Sequence, residues 1–76
     1  MEQTLIRKDA ESWIRLVFAA KAVANGGVIR RAVHWVEREI GRDRFIQEVG
    51  NRGFHLLECG GQFVVICNTS GIRVIC

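Results

Sequence analysis

The feature that most restricts this chain is the pair Gly60-Gly61, set between the runs Phe54–Cys59 and Gln62–Asn68. Two successive glycines suit a two-residue primed hairpin turn, whose central residues both need positive φ. With that loop, Cys59 faces Gln62, Glu58 faces Phe63 and Leu56 faces Val65. One face of the hairpin then carries Phe54, Leu56, Phe63, Val65 and Cys67, the expected core face. The other carries His55, Leu57, Val64 and Ile66, with Cys59, Gln62 and Asn68 at its margins. An antiparallel sheet covered on one side alternates apolar with polar residues, and here both faces are apolar. The second face is therefore expected to be covered by a helix, by a second copy of the chain or by a partner.

Upstream, apolar residues recur at helical spacing. Ile6, Ala10, Trp13, Val17, Ala20 and Ala24 line one stripe, widened by Ile14 and Phe18, and predict a helix over about 5–24. Asp9 suits the cap of a shorter version, and Asn25-Gly26-Gly27 suits its end. Ile29, Ala32, Val33, Val36 and Ile40 predict a second helix over 28–40, closed by Gly41. A third is expected over 43–52, with Asp43 in its first turn, Phe45, Ile46 and Val49 facing inward, and Gly53 after it. Asn68-Thr69-Ser70-Gly71 reads as a turn into a last strand over 72–76. The fold class expected is α+β: two to three N-terminal helices packed on a C-terminal three-stranded antiparallel β-meander, spanning 1–76 as a single small domain.

The chain has 76 residues and is 49% hydrophobic. A body this small leaves much of its surface exposed, so that composition favours association, and a homodimer is expected. Three cysteines, Cys59, Cys67 and Cys76, without a CxxC pair do not form a secreted disulfide framework. Cys59 and Cys67 are expected to be small buried hydrophobes, and Cys76 an exposed thiol able to cross-link two chains. The opening residues lack the apolar core of a signal peptide, and Arg15 and Lys21 interrupt the most apolar helical segment. A cytoplasmic protein is expected, with no membrane partner.

Candidate chemistry is sparse. His55 and Cys59 share a strand face, but four residues of strand span about 13 Å at ~3.3 Å each, too far to bind one metal. The same distance separates a Cys/His nucleophile pair, and no acid is placed to orient it. Gly26-Gly27 before a helix lacks the rest of any phosphate-loop motif, and helix capping accounts for it. No enzyme, cofactor, metal or small-molecule substrate is expected.

Charge gives a sharper expectation. The net charge is +3, and all basic residues except Lys8 and Lys21 are Arg, the side chain suited to bidentate phosphate and carboxylate contacts. GC-rich coding produces the same preference. Arg30, Arg31, His34 and Arg38 are expected on the outer face of the second helix, continued by Arg42, Arg44 and Arg52. Such a cluster binds phosphate by releasing counterions. The same residues also fit a solvated face in which Glu37, Glu39 and Glu48 pair with nearby Arg. Gln47 and Asn51 lie one turn apart on the third helix, and both side chains pair bidentately with adenine.

Over residues 28–68, the order helix, helix, hairpin behind an N-terminal helix resembles a winged-helix DNA-binding domain. The resemblance implies that the third helix enters the groove and that the Gly60-Gly61 hairpin is the wing. The chain departs from the usual helix-turn-helix pattern at Glu37, where a small residue is expected, and at Gln47, where an apolar one is. The hairpin tip also carries no Lys or Arg. In size and compactness the chain is similar to small phage inhibitors such as anti-CRISPR proteins, which share no motif, so no residue carries over. The expected function is non-catalytic binding of nucleic acid or a nucleoprotein through the Arg-rich face. The alternative is a protein-directed inhibitor or adaptor. His55, Leu57, Val64, Ile66 and Cys76 are the expected dimer or partner contacts.

Overall fold

The computed structural model describes residues 2–76, with side chains from residue 10 onward. The roles expected of Ile6 and Asp9 concern side chains outside the described residues. Helix α1 (Glu2–Phe18) and the short α2 (Lys21–Ala24) precede strand β1 (Val28–Ala32). Helices α3 (Val33–Glu39) and α4 (Arg42–Asn51) follow, then strands β2 (His55–Cys59) and β3 (Gln62–Ile66). The architecture is α+β, with a three-stranded antiparallel sheet in the order β1-β3-β2.

The hairpin forms as its sequence requires. Cys59 pairs with Gln62, Glu58 with Phe63 and Leu56 with Val65. Gly60 and Gly61 sit at φ 58° and 76°, the two positive values a type I′ turn demands.

Two elements differ from expectation, and each explains the other. Residues 28–32 form a strand instead of the start of a helix, pairing Ile29 with Val65 and Arg31 with Phe63. Ile29 is buried while Val28 and Arg30 on either side are exposed, a period of two. Ile29, Ala32 and Val33 fit a helical stripe equally well, so local periodicity could not separate the two readings. Strand β3 decides the matter. Its apolar residues on both faces are those of a central strand, which needs a partner on each edge. Residues 72–76, expected as the third strand, therefore find that place taken and have no regular structure.

The long first helix is also divided. Ala20 is extended, at φ −61° and ψ 149°, and the chain turns there before Ala22 and Val23 pack on the core. The core joins Val17 of α1, Ile29 of β1, Val36 of α3 and Phe45 and Val49 of α4 to Phe63, Val65 and Cys67. Phe45, fully buried, lies at its centre. Its ring is 5.3 Å from Phe63, 6.2 Å edge-on from Trp13 and 6.3 Å from Phe18. Aromatic contacts at such separations add roughly 0.5–1.5 kcal/mol each beyond the area they bury.

All of these contacts lie on one face of the sheet. The outer face carries Val28, Arg30 and Ala32 beside Ile66, Val64 and Gln62, and these beside His55, Leu57 and Cys59. It stays open: Val28 and Leu57 are 50% and 48% exposed.

Candidate nucleic-acid interface

Helices α3 and α4 meet at Ile40-Gly41. Gly41 has φ 90°, a conformation that costs glycine little and other residues much. Its amide donates to the Val36 carbonyl at 3.0 Å, and its own carbonyl accepts from the Phe45 amide at 3.2 Å. The turn thus closes α3 and opens α4. Val36, Phe45 and Val49 are buried in the core, and this seam fixes the rotation of α4 about its axis.

The opposite side of α4 exposes Asp43, Ile46, Gln47, Gly50 and Asn51. Gln47 and Asn51 stand one turn apart, about 6 Å along the axis at 1.5 Å per residue. Gln47 departs from the helix-turn-helix pattern because it faces solvent here, where the apolar residue of that pattern would pack. Ile46, expected inward, is instead 45% exposed beside Gln47. Ile46 adjoins the seam residue Phe45, and the packing of Phe45 and Val49 leaves it on the outer side. Gly50 offers no side chain between them.

The expected Arg-rich face is divided into separate groups. Arg30 lies on the outer face of the sheet, opposite Val64. Arg31 points to the other side, half-buried, and its Nη1 donates to the Arg30 carbonyl at 2.6 Å. His34 and Arg38 are both exposed on α3, four residues apart. Among the described residues, Arg30 and Arg38 make no ion pair.

Arg42, Arg44 and Arg52 are engaged within the fold. Arg42 bonds Glu58 of β2, reaches Glu37 of α3 at 3.6 Å and lies 5.2 Å from the Phe63 ring. Glu37 thus gains a partner in place of the small residue of the helix-turn-helix pattern. Arg44 bonds Glu11 of α1 at 2.7 Å and Glu48 at 3.1 Å. Arg52 bonds Glu48 at 2.8 Å and stacks 3.9 Å from the Phe18 ring. Hydrogen bonding to Glu58 raises the pKa of Arg42, and bonding to Glu11 that of Arg44. Hydrogen bonds from Arg52 and then Arg44 hold the Glu48 carboxyl below its ordinary range. These three arginines staple helices to each other and to the sheet, and their charge is largely answered internally.

Of the residues expected at a partner interface, Leu57 is exposed on the outer sheet face, and His55, Val64 and Ile66 are half-buried there. His55 Nε2 is hydrogen-bonded to the Ser70 carbonyl, which accepts. Cys76 is exposed at a distance in sequence from all four. Cys59, expected to be buried, is exposed because it lies at the rim of the outer face beside the turn, whereas Cys67 is buried in the core. His55 and Cys59 occupy opposite ends of β2, and no cluster of three potential metal ligands occurs among the described residues. No helix of the described residues is long and apolar enough to cross a membrane.

Trp35, expected from its type to join Trp13 in the core although its place off the apolar seam also allows it to meet a partner, is 44% exposed on α3. The sequence pattern missed Glu58 as the partner of Arg42, a contact across the fold that spacing cannot reveal. No known family profile, no curated protein and no solved structure matches this chain.

Proposed function

We propose that this protein binds duplex nucleic acid without catalysing a reaction, presenting the exposed face of α4 to the groove in the manner of a winged helix. The observation that carries this reading is the makeup of that face. Gln47 and Asn51 project one turn apart from the second helix of a helix–glycine–helix unit, with the exposed apolar Ile46 next to Gln47 and no side chain at Gly50. Gln and Asn each match the donor and acceptor pair of adenine in the major groove, and an apolar side chain suits the thymine methyl. A recognition helix contacts bases while its neighbour crosses the backbone. Arg38 and His34 on α3 supply the phosphate contacts; of the two arginines on the flanking strand, Arg31 lies on the helix side of the sheet and Arg30 on the opposite face. Arg42 contributes from the start of α4 when a phosphate competes for its exposed guanidinium. Arg44 and Arg52 act indirectly, by setting the helix.

The test is fluorescence anisotropy with labelled AT-rich and GC-rich duplexes over a salt series. Gln47→Ala with Asn51→Ala should lower affinity for the preferred duplex by about 1–3 kcal/mol per lost base contact and narrow the difference between sequences. Arg38→Glu should weaken binding to every duplex and flatten the salt dependence. Absence of binding to either duplex at low salt would overturn the proposal.

A second reading, a protein-directed inhibitor or adaptor of the small phage type, is favoured by the open apolar sheet face around Val28 and Leu57. Docking there would change little with added salt, in contrast to phosphate binding.

A further inference from the structure

The segment after β3 combines two properties that conflict in an isolated chain. Ile72, Arg73, Val74, Ile75 and Cys76 are rich in β-branched residues, which suit strands, yet they have no regular structure. Val74 and Ile75 are 81% and 80% exposed, and Ile72 44%. At the same time β2 pairs only with β3, so its other edge presents the unpaired amides and carbonyls that attract a further strand.

We propose that residues 72–76 of one copy add as an antiparallel strand to the open edge of β2 in a second copy, with Arg73 opposite Glu58. That single pairing fixes the others: Ile72 meets Cys59, Val74 meets Leu57, Ile75 meets Leu56 and Cys76 meets His55. Every apolar residue of the segment then faces a residue of β2 that is not charged. Val74 and Ile72 join Leu57 and Cys59 on the outer face, while Ile75 extends the inner side beside Leu56. Arg42 occupies Oε1 of Glu58, leaving the second carboxylate oxygen to Arg73. Opposite charges and apolar pairs across a ladder each contribute roughly 0.2–1 kcal/mol. A slip by one residue sets Ile72 or Val74 against Glu58 and moves every side chain to the wrong face.

The strand comes from a second copy because its own chain cannot supply it. Ser70 is held at His55, the first residue of β2. Antiparallel pairing needs Ile72 beside Cys59, about 13 Å away along the strand at ~3.3 Å per residue. Two residues of extended chain reach only about 7 Å.

Light scattering on the reduced protein, with Val74→Asp/Ile75→Asp as comparison, tests the association. Both side chains are exposed in the single chain, so the variant keeps its circular dichroism spectrum. The wild type should have twice the 8.6 kDa chain mass, and the variant the mass of one chain. The register is tested by Ile72→Cys in a Cys76→Ser background, which on mild oxidation should give a cross-linked dimer with the 59–72 disulfide identified by mass spectrometry. A wild type that stays at the mass of one chain overturns the proposal. So does a dimer unaffected by the double variant, or a 59–72 bond formed only within one chain.

Discussion

Arg44 on α4 places its Nη2 2.7 Å from the Glu11 carboxylate on α1, across 33 residues of sequence, while its Nε holds Glu48 at 3.1 Å. Arg52 bonds the other oxygen of Glu48. One carboxylate therefore receives two guanidiniums, and one of those continues to a second helix.

The pH dependence of stability follows from Glu48. Its carboxyl is held below the ordinary value of 4.5, first by Arg52 and then by Arg44. A lowered folded-state pKa stabilises the fold fully above the unfolded value, and this contribution is lost as pH falls through the folded one. The thermal stability of the wild type should therefore fall as pH drops below about 4.5, and that of Glu48→Gln, which lacks this carboxyl, should fall less over the same range. At neutral pH that variant should lose on the order of 0.5–1 kcal/mol, the usual size of paired helix-surface charges. Equal acid sensitivity in both proteins would show that the guanidinium pair contributes nothing.

Phe45→Ala should be the most damaging single change. A buried Phe reduced to Ala typically costs about 3–5 kcal/mol, and this ring touches Trp13, Phe18 and Phe63 together. Total stabilities of roughly 5–15 kcal/mol are usual, with small domains at the low end. The variant is expected to be largely unfolded at 37 °C by circular dichroism. A cooperative transition within a few degrees of the wild type would contradict the placement of Phe45 at the centre of the core.

The hairpin turn gives a cleaner backbone test. A Cβ at Gly60 or Gly61 would meet no atom within 4 Å, so any cost of substitution comes from the positive φ alone. Gly61→Val should destabilise by about 1–2 kcal/mol, while Gly60→Asn should be nearly neutral, because Asn tolerates this region. Chemical denaturation of the two variants would separate them; equal losses would exclude the type I′ turn.

Thiol chemistry reads out burial directly. Cys59 and Cys76 are exposed and Cys67 is buried, with burial pushing its thiol pKa up. Brief treatment of the native reduced protein with iodoacetamide should add two labels by mass spectrometry, and a third only after denaturation. Rapid native labelling of Cys67 would place it outside the core.

Much of this fold is legible in the sequence because its strongest signals are local. Gly60-Gly61 specifies a turn, and the turn specifies the pairing from His55 to Ile66. The seam Val36–Phe45–Val49 and the Gly41 break similarly follow from spacing. What spacing cannot give is competition between distant segments for one edge. Residues 28–32 and 72–76 both carry strand-compatible residues, and only the packing of β3 selects the first. The arginines illustrate the same limit at the site. Arg38 and Arg42 are four residues apart on neighbouring helices, yet one meets no acid among the described residues and the other is bound by Glu37 and Glu58. Gln47 and Asn51 were recognisable as an outward pair because their placement needs only the period of one helix.

The strand order β1-β3-β2 also has a consequence for how the chain can be made. The central strand is the last of the three to be synthesised. Until residues 62–66 have left the ribosome, β1 and β2 each lack their only ladder partner in the sheet. The helices can begin to form earlier, since their hydrogen bonds are local, but Phe45 has no Phe63 to pack against and Ile29 no Val65. Folding of this protein is therefore an event that follows translation of β3, and a nascent chain stopped before Gln62 should be as open to proteases as an unfolded one.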